Sequence, residues 1–303
     1  MATPEENIKE QLTYSGVTAW HEAGITGEGV VIWNAETNTR EHGQISERRI
    51  RDAAPGATII SAEQGMKMDN DHIIEEYVTY QGQRYSTEAF IREFNVKVIN
   101  KSKSGSHNLG PLSPFWQDLK ERYNLILCNA VGNEGTGDWG GSIPYDQAIY
   151  VGAASLIKGK PKRDYYSSVT KELDFMQFTG NWSGTSFSSP CLAGMAALLA
   201  QVKPSITQDE VYTYFVNHAE DMEANGPDDY TGYGLAKMGS IDEDWEGNEM
   251  VTKTKIKVDG KIKEVKRILK NGENYIRLRD FEDVLGICDV EYDAKEKMPV
   301  VID

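Results

Sequence analysis

The sequence predicts an α/β protein, a mostly parallel sheet with helices on both faces, followed by a small α+β domain. Three observations carry this expectation. Short, almost continuous apolar runs alternate with helical patterns from about residue 10 to 240, the pattern then switches to period-two alternation, and no apolar run is long enough to span a membrane.

The runs VVIWNA (30–35), ATIIS (57–61), VKVIN (96–100), LILCNAV (125–131) and AIYVGAA (148–154) read as strands buried on both faces, because they lack the polar alternation of a half-exposed strand. Between them, STEAFIREF (86–94) and SPFWQDLKERY (113–123) read as helices, the second with Pro114 in a first turn where its missing N–H costs nothing. Asp69 and Asp71 in MDNDH read as helix-capping residues. GSIDEDWEGNEM (239–250) is acidic and aperiodic, so 241–250 is expected to be a linker between domains at 1–240 and 251–303. In the second domain, KIKVDGKIKEV (255–265) alternates around Asp259-Gly260 and ILKNGENYIRL (268–278) around Asn271-Gly272, both favourable hairpin turns. DFEDVLGI (280–287) reads as a short helix before two terminal strands.

With 303 residues the chain can bury a full core. Its 32 basic against 47 acidic residues leave a formal charge of −15, which argues against nucleic acid as a partner and favours solubility. The start, MATPEENIKEQLTYSG, lacks the basic and apolar regions of a signal peptide, so the expectation is a cytoplasmic protein or a trimmed leader. Cys128, Cys191 and Cys288 show no C-x-x-C spacing and are expected to be buried thiols.

Chemistry concentrates in GTSFSSPCLAGMAALLA (184–200). Ser186 stands at the mouth of a segment that is apolar on every face from Cys191 to Ala200, hence a buried helix. Partial positive charge gathers there and can stabilise an oxyanion, although a serine-rich helix cap fits the same residues equally well. In GEGVVIWNAETNTREHG (27–43) an apolar strand ends at Glu36, and His42-Gly43 follows six residues after that carboxylate.

Residues 184–194 match every fixed position of G-T-S-x-S-x-P-x-x-A-G, and the run resembles the nucleophile motif of the subtilisin-like serine proteases. VINKS (98–102), NAVGNEG (129–135), IPYDQAIYVGAA (143–154), APGA (54–57) and GYGL (232–235) resemble further segments of that family, so the likeness covers roughly 12–240. It implies a subtilisin-like fold and a serine endopeptidase acting on polypeptides, with Ser186 as nucleophile, His42 as general base and Asn133 as oxyanion donor. Glu36 stands where the family usually has aspartate. Ser102, Lys103, Ser104 and Gly105 would pair with an extended substrate by β-augmentation, with Lys103 at a position that is usually apolar.

Other departures surround the histidine. Only TNTRE (37–41) separates it from the acid, where the family has a long segment, and Gln44-Ile45-Ser46 replace the usual threonine, histidine and valine. The extra methylene of glutamate moves its carboxylate by roughly an ångström or more, an error worth about a hundredfold in rate unless the short loop compensates. The alternative expectation is therefore a catalytically impaired pseudoprotease serving as a peptide-binding or adaptor module. His21, His72, His107 and His218 lack metal-ligand spacing and read as ordinary helix or loop residues. No cofactor is expected; calcium is common in the family, but no ligand set for it can be assigned.

Beyond 250, VDGK (258–261), NGENYIRLRDFEDVLG (271–286) and VEYDAKEKMPVVI (290–302) resemble the copper amine oxidase N-terminal-like domain, a module of bacterial secreted or wall-associated proteins. The matching residues contain no copper-ligand cluster. The resemblance implies a protein or cell-wall partner rather than chemistry.

Overall fold

The computed structural model describes residues 3–69, 72–102, 113–137, 148–223 and 225–241, and further on the strands from Met250 to Ile302. Two compact units divide the chain, one of Met1–His21 with Thr26–Met238, the other of Glu22–Ile25 with Gly239–Asp303.

In the larger unit, α1 (Pro4–Tyr14) and α2 (Val17–Glu22) precede β1 (Val31–Asn34), α3 (Glu41–Ala53) and β2 (Thr58–Ser61). Three antiparallel strands follow, β3 (Glu63–Asp69), β4 (His72–Tyr80) and β5 (Gln83–Ser86). Next come α4 (Thr87–Glu93), β6 (Val98–Lys101), α5 (Ser113–Tyr123), β7 (Ile126–Ala130), β8 (Ile149–Ile157), β9 (Lys160–Arg163) and β10 (Phe175–Phe178). A 3-10 turn (Thr185–Phe187) leads into α6 (Ser189–Val202), and α7 (Gln208–His218) completes the unit's helices. The five buried strand runs and both quoted helices expected from the sequence lie within two residues of these bounds, except that β8 runs three residues past its expected end.

The main sheet has the order β10-β8-β7-β6-β1-β2, parallel throughout, with β9 antiparallel to β8. Alternate residues of its strands face opposite layers. Trp33, Ile99 and Leu127 pack against Phe90 and Ile91 of α4 and Trp116 and Leu119 of α5. Asn100 faces the other way, toward Ser189 of α6. Strand order reverses between β1 and β6, and it is outside the carboxyl ends of strands at such a point that α/β sheets form their sites.

The segment around Asp69 corrects one expectation. It is no helix cap: Asp69 ends β3, and β3 pairs antiparallel with β4, while Asp71 lies outside the described residues. What holds this small sheet is aromatic, not capping. Tyr80 and Tyr85 meet Phe90 and Phe94 edge-on at ring distances of 5.3 to 5.9 Å. His72 accordingly lies on a strand rather than a helix or loop.

In the smaller unit β11 (Met250–Val258), β12 (Lys261–Lys270) and β13 (Glu273–Ile276) form an antiparallel sheet, and β14 (Asp289–Asp293) pairs with β15 (Met298–Ile302). The two expected turn dipeptides, the helix over 280–287 and residues 242–249 of the linker lie outside the described residues.

Helix α6 is the buried centre of the larger unit, with every residue from Ser189 to Ala200 inaccessible. Its crossing with α3 is close: a Cβ on Gly194 would lie 2.7 Å from the Ala53 methyl and 2.9 Å from the Ile50 carbonyl. Cys128 and Cys191 are buried, as expected, and desolvation pushes the Cys128 thiol up to about 12; Cys288 lies outside the described residues.

Two stability outcomes follow from this packing. Gly194→Ala will cost about 1–3 kcal/mol in denaturant unfolding, overpacking outweighing the better helix propensity of alanine. Asp174, just before β10, accepts from the Tyr150 N–H (2.7 Å) and the Tyr212 hydroxyl (3.1 Å), and burial pushes its carboxyl up to about 6. A native value above the unfolded one favours the protonated form, so this contribution is complete below about pH 4 and lost as pH rises through about 6. Urea unfolding across this range will show a flatter pH profile for Asp174→Asn than for the wild type.

Candidate active site

Glu36 follows the end of β1 and His42 opens α3, with only a short loop between them. After β1 the Ala35 N–H still bonds to the Asn100 carbonyl, and then the Glu36 N–H turns back to the Asn34 carbonyl at 2.7 Å, lifting the chain out of the sheet. Helix α3 starts at Glu41, so His42 sits in its first turn. The result is a contact of 2.6 Å between Glu36 Oε2 and His42 Nδ1. The glutamate is nearly buried (8% exposed) and the imidazole about half exposed (46%). Glu36 Oε1 is buried with no donor among the described residues, so the carboxylate's polar interaction falls mainly on the histidine. Beside a carboxylate so nearly buried, positive charge gained by the ring is felt strongly.

Departures from the family pattern around His42 acquire physical reasons. Gln44 donates its side-chain amide to the Asn38 carbonyl at 3.0 Å, tying down the shortened loop. Gly43 lies so close beneath that loop that a Cβ there would come 2.0 Å from the Thr37 carbonyl oxygen. Ser46 faces inward and donates to Asn34 Oδ1 at 2.9 Å.

That last bond belongs to a buried polar frame. Asn100 Nδ2 donates to Asn34 Oδ1 (2.9 Å) and Ser102 Oγ (2.9 Å), and Asn100 Oδ1 accepts from Ser189 Oγ (2.8 Å). Asn34, Ser46, Asn100, Ser102 and Ser189 are all buried. They come from β1, α3, β6, the segment after β6 and the start of α6, the elements that carry the acid, the histidine and the serine.

Ser186 lies in the 3-10 turn rather than on α6 itself, which begins at Ser189 with Pro190 in its first turn. Its hydroxyl donates to the Ser102 carbonyl at 3.0 Å. The next ring along, Phe187, packs against the His42 imidazole at 5.0 Å between centroids. Asn133 follows β7 and is anchored by the same turn: its Oδ1 accepts from Thr185 N–H (2.9 Å) and Thr185 Oγ1 (3.2 Å), which leaves its amide nitrogen to donate. Buried Thr185 in turn accepts from the Gly132 N–H at 3.2 Å.

Glu36, His42, Ser186, Asn133 and Ser102 therefore converge at one end of the sheet. Lys103, Ser104 and Gly105 lie outside the described residues. The sequence reading gave Ser102 a substrate-binding role and missed Asn34, Ser46, Asn100, Ser189 and Arg49, whose guanidinium is fully buried. A signal existed: Ser46 and Arg49 are spaced four and seven residues from His42, on the same face of one helix. Among the described residues no group of three or more His, Cys, Asp or Glu side chains is placed to hold a metal ion.

Solved structures share this arrangement of sheet and helices. A lanthipeptide protease superposes with a TM-score of 0.55 at 16% identity, over 76% of this chain and 93% of its own. MycP1 with its N-terminal propeptide removed gives 0.54 at 16% identity, over 75% and 94%. At such identities the likeness is one of fold.

The chain belongs to the subtilase family, whose model matches residues 21–234. Subtilisin NAT of Bacillus subtilis subsp. natto is 31% identical over 160 residues, 48% of this chain and 40% of that protein. The Neisserial autotransporter lipoprotein NalP of Neisseria meningitidis serogroup B is 42% identical over 57 residues, 19% of this chain and 5% of the relative. The chain thus spans less than two thirds of the length of these curated relatives. No helix among the described residues is long and apolar enough to cross a membrane.

The tight loop makes one variant diagnostic. Gly43→Ala places its methyl against backbone that cannot rotate away, and will destabilise the protein by about 1–3 kcal/mol in denaturant unfolding. The NMR signals of the His42 ring in the folded fraction will shift as the Glu36 contact is disturbed.

Proposed function

We propose that this chain is a serine endopeptidase that hydrolyses polypeptides through an acyl-enzyme, with Glu36, His42 and Ser186 as its catalytic residues. The observation that carries this reading is the 2.6 Å contact between Glu36 and His42, made beside the turn that holds Ser186. Glutamate reaches the imidazole here because the short loop starts α3 at Glu41.

The chemistry runs as follows. Ser186 Oγ leaves the Ser102 carbonyl, gives its proton to His42 Nε2 and bonds to the scissile carbonyl carbon, whose oxygen becomes an oxyanion. The Asn133 amide and the Ser186 N–H receive that charge. His42 returns the proton to the leaving amine, the C–N bond breaks, and water repeats the sequence to release the acid. Glu36 keeps Nδ1 protonated and stabilises the imidazolium. Ser102, Lys103, Ser104 and Gly105 take the substrate's main chain as an added strand.

Residues 1–240 form the catalytic domain in this reading, 241–250 the linker, and 251–303 an accessory domain similar to the copper amine oxidase N-terminal-like domain, docking a protein or cell-wall partner. One observation favours a second reading, an impaired pseudoprotease that binds peptides: the Ser186 hydroxyl donates to the Ser102 carbonyl in the resting arrangement.

A fluorophosphonate probe separates the two. The protease reading expects the wild type to be labelled and Ser186→Ala not to be. Glu36→Asp, although it installs the family's usual residue, will slow labelling by about a hundredfold, because the shorter acid no longer reaches His42. Absence of labelling in folded wild type would transfer the site to the peptide-binding reading.

A further inference from the structure

Arg49 is a charged side chain with no exposure at all, and the chemistry above does not use it. A buried cation is costly unless paired and fully hydrogen-bonded, so its partners matter. Nη1 meets Asp52 Oδ2 at 2.6 Å, one turn further along α3. The other two bonds leave the helix. Nη2 donates to the Phe178 carbonyl at the end of β10 (3.1 Å) and Nε to the Phe187 carbonyl (3.4 Å), the residue immediately after Ser186.

The surroundings are shaped for the guanidinium. Gly180 has a positive φ of 77°, and a Cβ there would lie 3.2 Å from the Arg49 guanidinium carbon. That Cβ would also lie 3.1 Å from the Trp182 ring, which packs on Phe187 at 6.2 Å. Arg48, the preceding residue, lies over the same Trp182 ring, 5.5 Å from its centroid. Helix α3 thus grips the serine-bearing turn twice, through a backbone carbonyl and through the Trp182 indole packed on Phe187.

We propose that Arg49 is a positioning residue for this site: by holding the Phe187 carbonyl it fixes the ring on which His42 packs and the turn that carries Ser186. The inference rests on the serine-protease reading and adds, to the loop and frame contacts at the start of α3, a direct tie from α3 to the serine turn. Arg40, the N-cap of α3, makes no side-chain cap bond, and His42 is about half exposed. Only a planar fork serves here. Asp52 neutralises the charge and aims the remaining N–H groups at two carbonyls on different elements, which the single ammonium of lysine cannot span.

The test uses the full chain and measures inactivation by a fluorophosphonate at saturation and at limiting concentration, with thermal unfolding alongside. Arg49→Lys, which keeps the charge, is expected to lower the saturating inactivation rate about tenfold to a hundredfold while apparent probe affinity changes little. Phe187→Leu should give a similar loss, and the double variant should be little worse than either single one, because both act through the packing of the Phe187 ring on His42. If Arg49→Lys does not fold, Asp52→Asn, altering a partly exposed carboxylate, loosens the same guanidinium and must lower the rate in the same direction. A folded Arg49→Lys, or Asp52→Asn, with the wild-type rate would overturn the proposal, as would losses that multiply in the double variant. A wild type that is not labelled overturns the protease reading instead, and Arg49 is then judged by the His42 ring resonances. These must move in Arg49→Lys or in Asp52→Asn; unmoved resonances would refute its positioning role.

Discussion

Glu36 and His42, six residues apart, meet here because β1 ends just before one and α3 has begun by the other. That constraint governs this molecule's site. Four residues, Thr37 to Arg40, separate Glu36 from the first residue of α3, so the loop must fold against the helix it introduces. Gly43 is where the Thr37 carbonyl comes down, and Gln44 is where Asn38 is held. With so short a connection, the extra reach of glutamate suits the geometry.

A loop this tight orients one histidine but cannot place it against a serine far away in the chain. Two buried devices connect those parts. The polar frame of Asn34, Ser46, Asn100, Ser102 and Ser189 joins β1, α3, β6 and α6 by directional bonds, and Arg49 joins α3 to β10 and the serine turn. Buried polar groups add little net stability, yet leaving any of them unpaired is expensive, so the frame tolerates one relative arrangement of its elements. The apolar crossing of α3 on α6 at Gly194 supplies close contact without that directional choice.

Much of the fold was legible because parallel strands covered on both faces are continuous apolar runs, as in LILCNAV and AIYVGAA. The serine turn was legible because a long ordered motif leaves few alternatives. The β3–β5 sheet was not: the polar run MDNDH reads as a cap rather than the end of one strand and the start of another, and the aromatic contacts that stabilise the sheet come from Phe90 of α4 and Phe94 just after it. Arg49 was hidden for a related reason. In the run SERRIRD one arginine looks like another, yet Arg48 is on the surface and Arg49 is fully enclosed.

The sequence by itself determined the order of the five continuous apolar strands and the two quoted helices, the family, and which residue types stand at positions 36, 42, 186 and 133, since these rest on local patterns and motif spacing. Tertiary structure alone decided that Glu36 reaches His42, that Ser186 rests on the Ser102 carbonyl, and that Arg49 and the polar frame bind the site together. Those are contacts between residues distant along the chain or on separate elements, and their geometry comes from the strand register and helix crossings that the whole core sets.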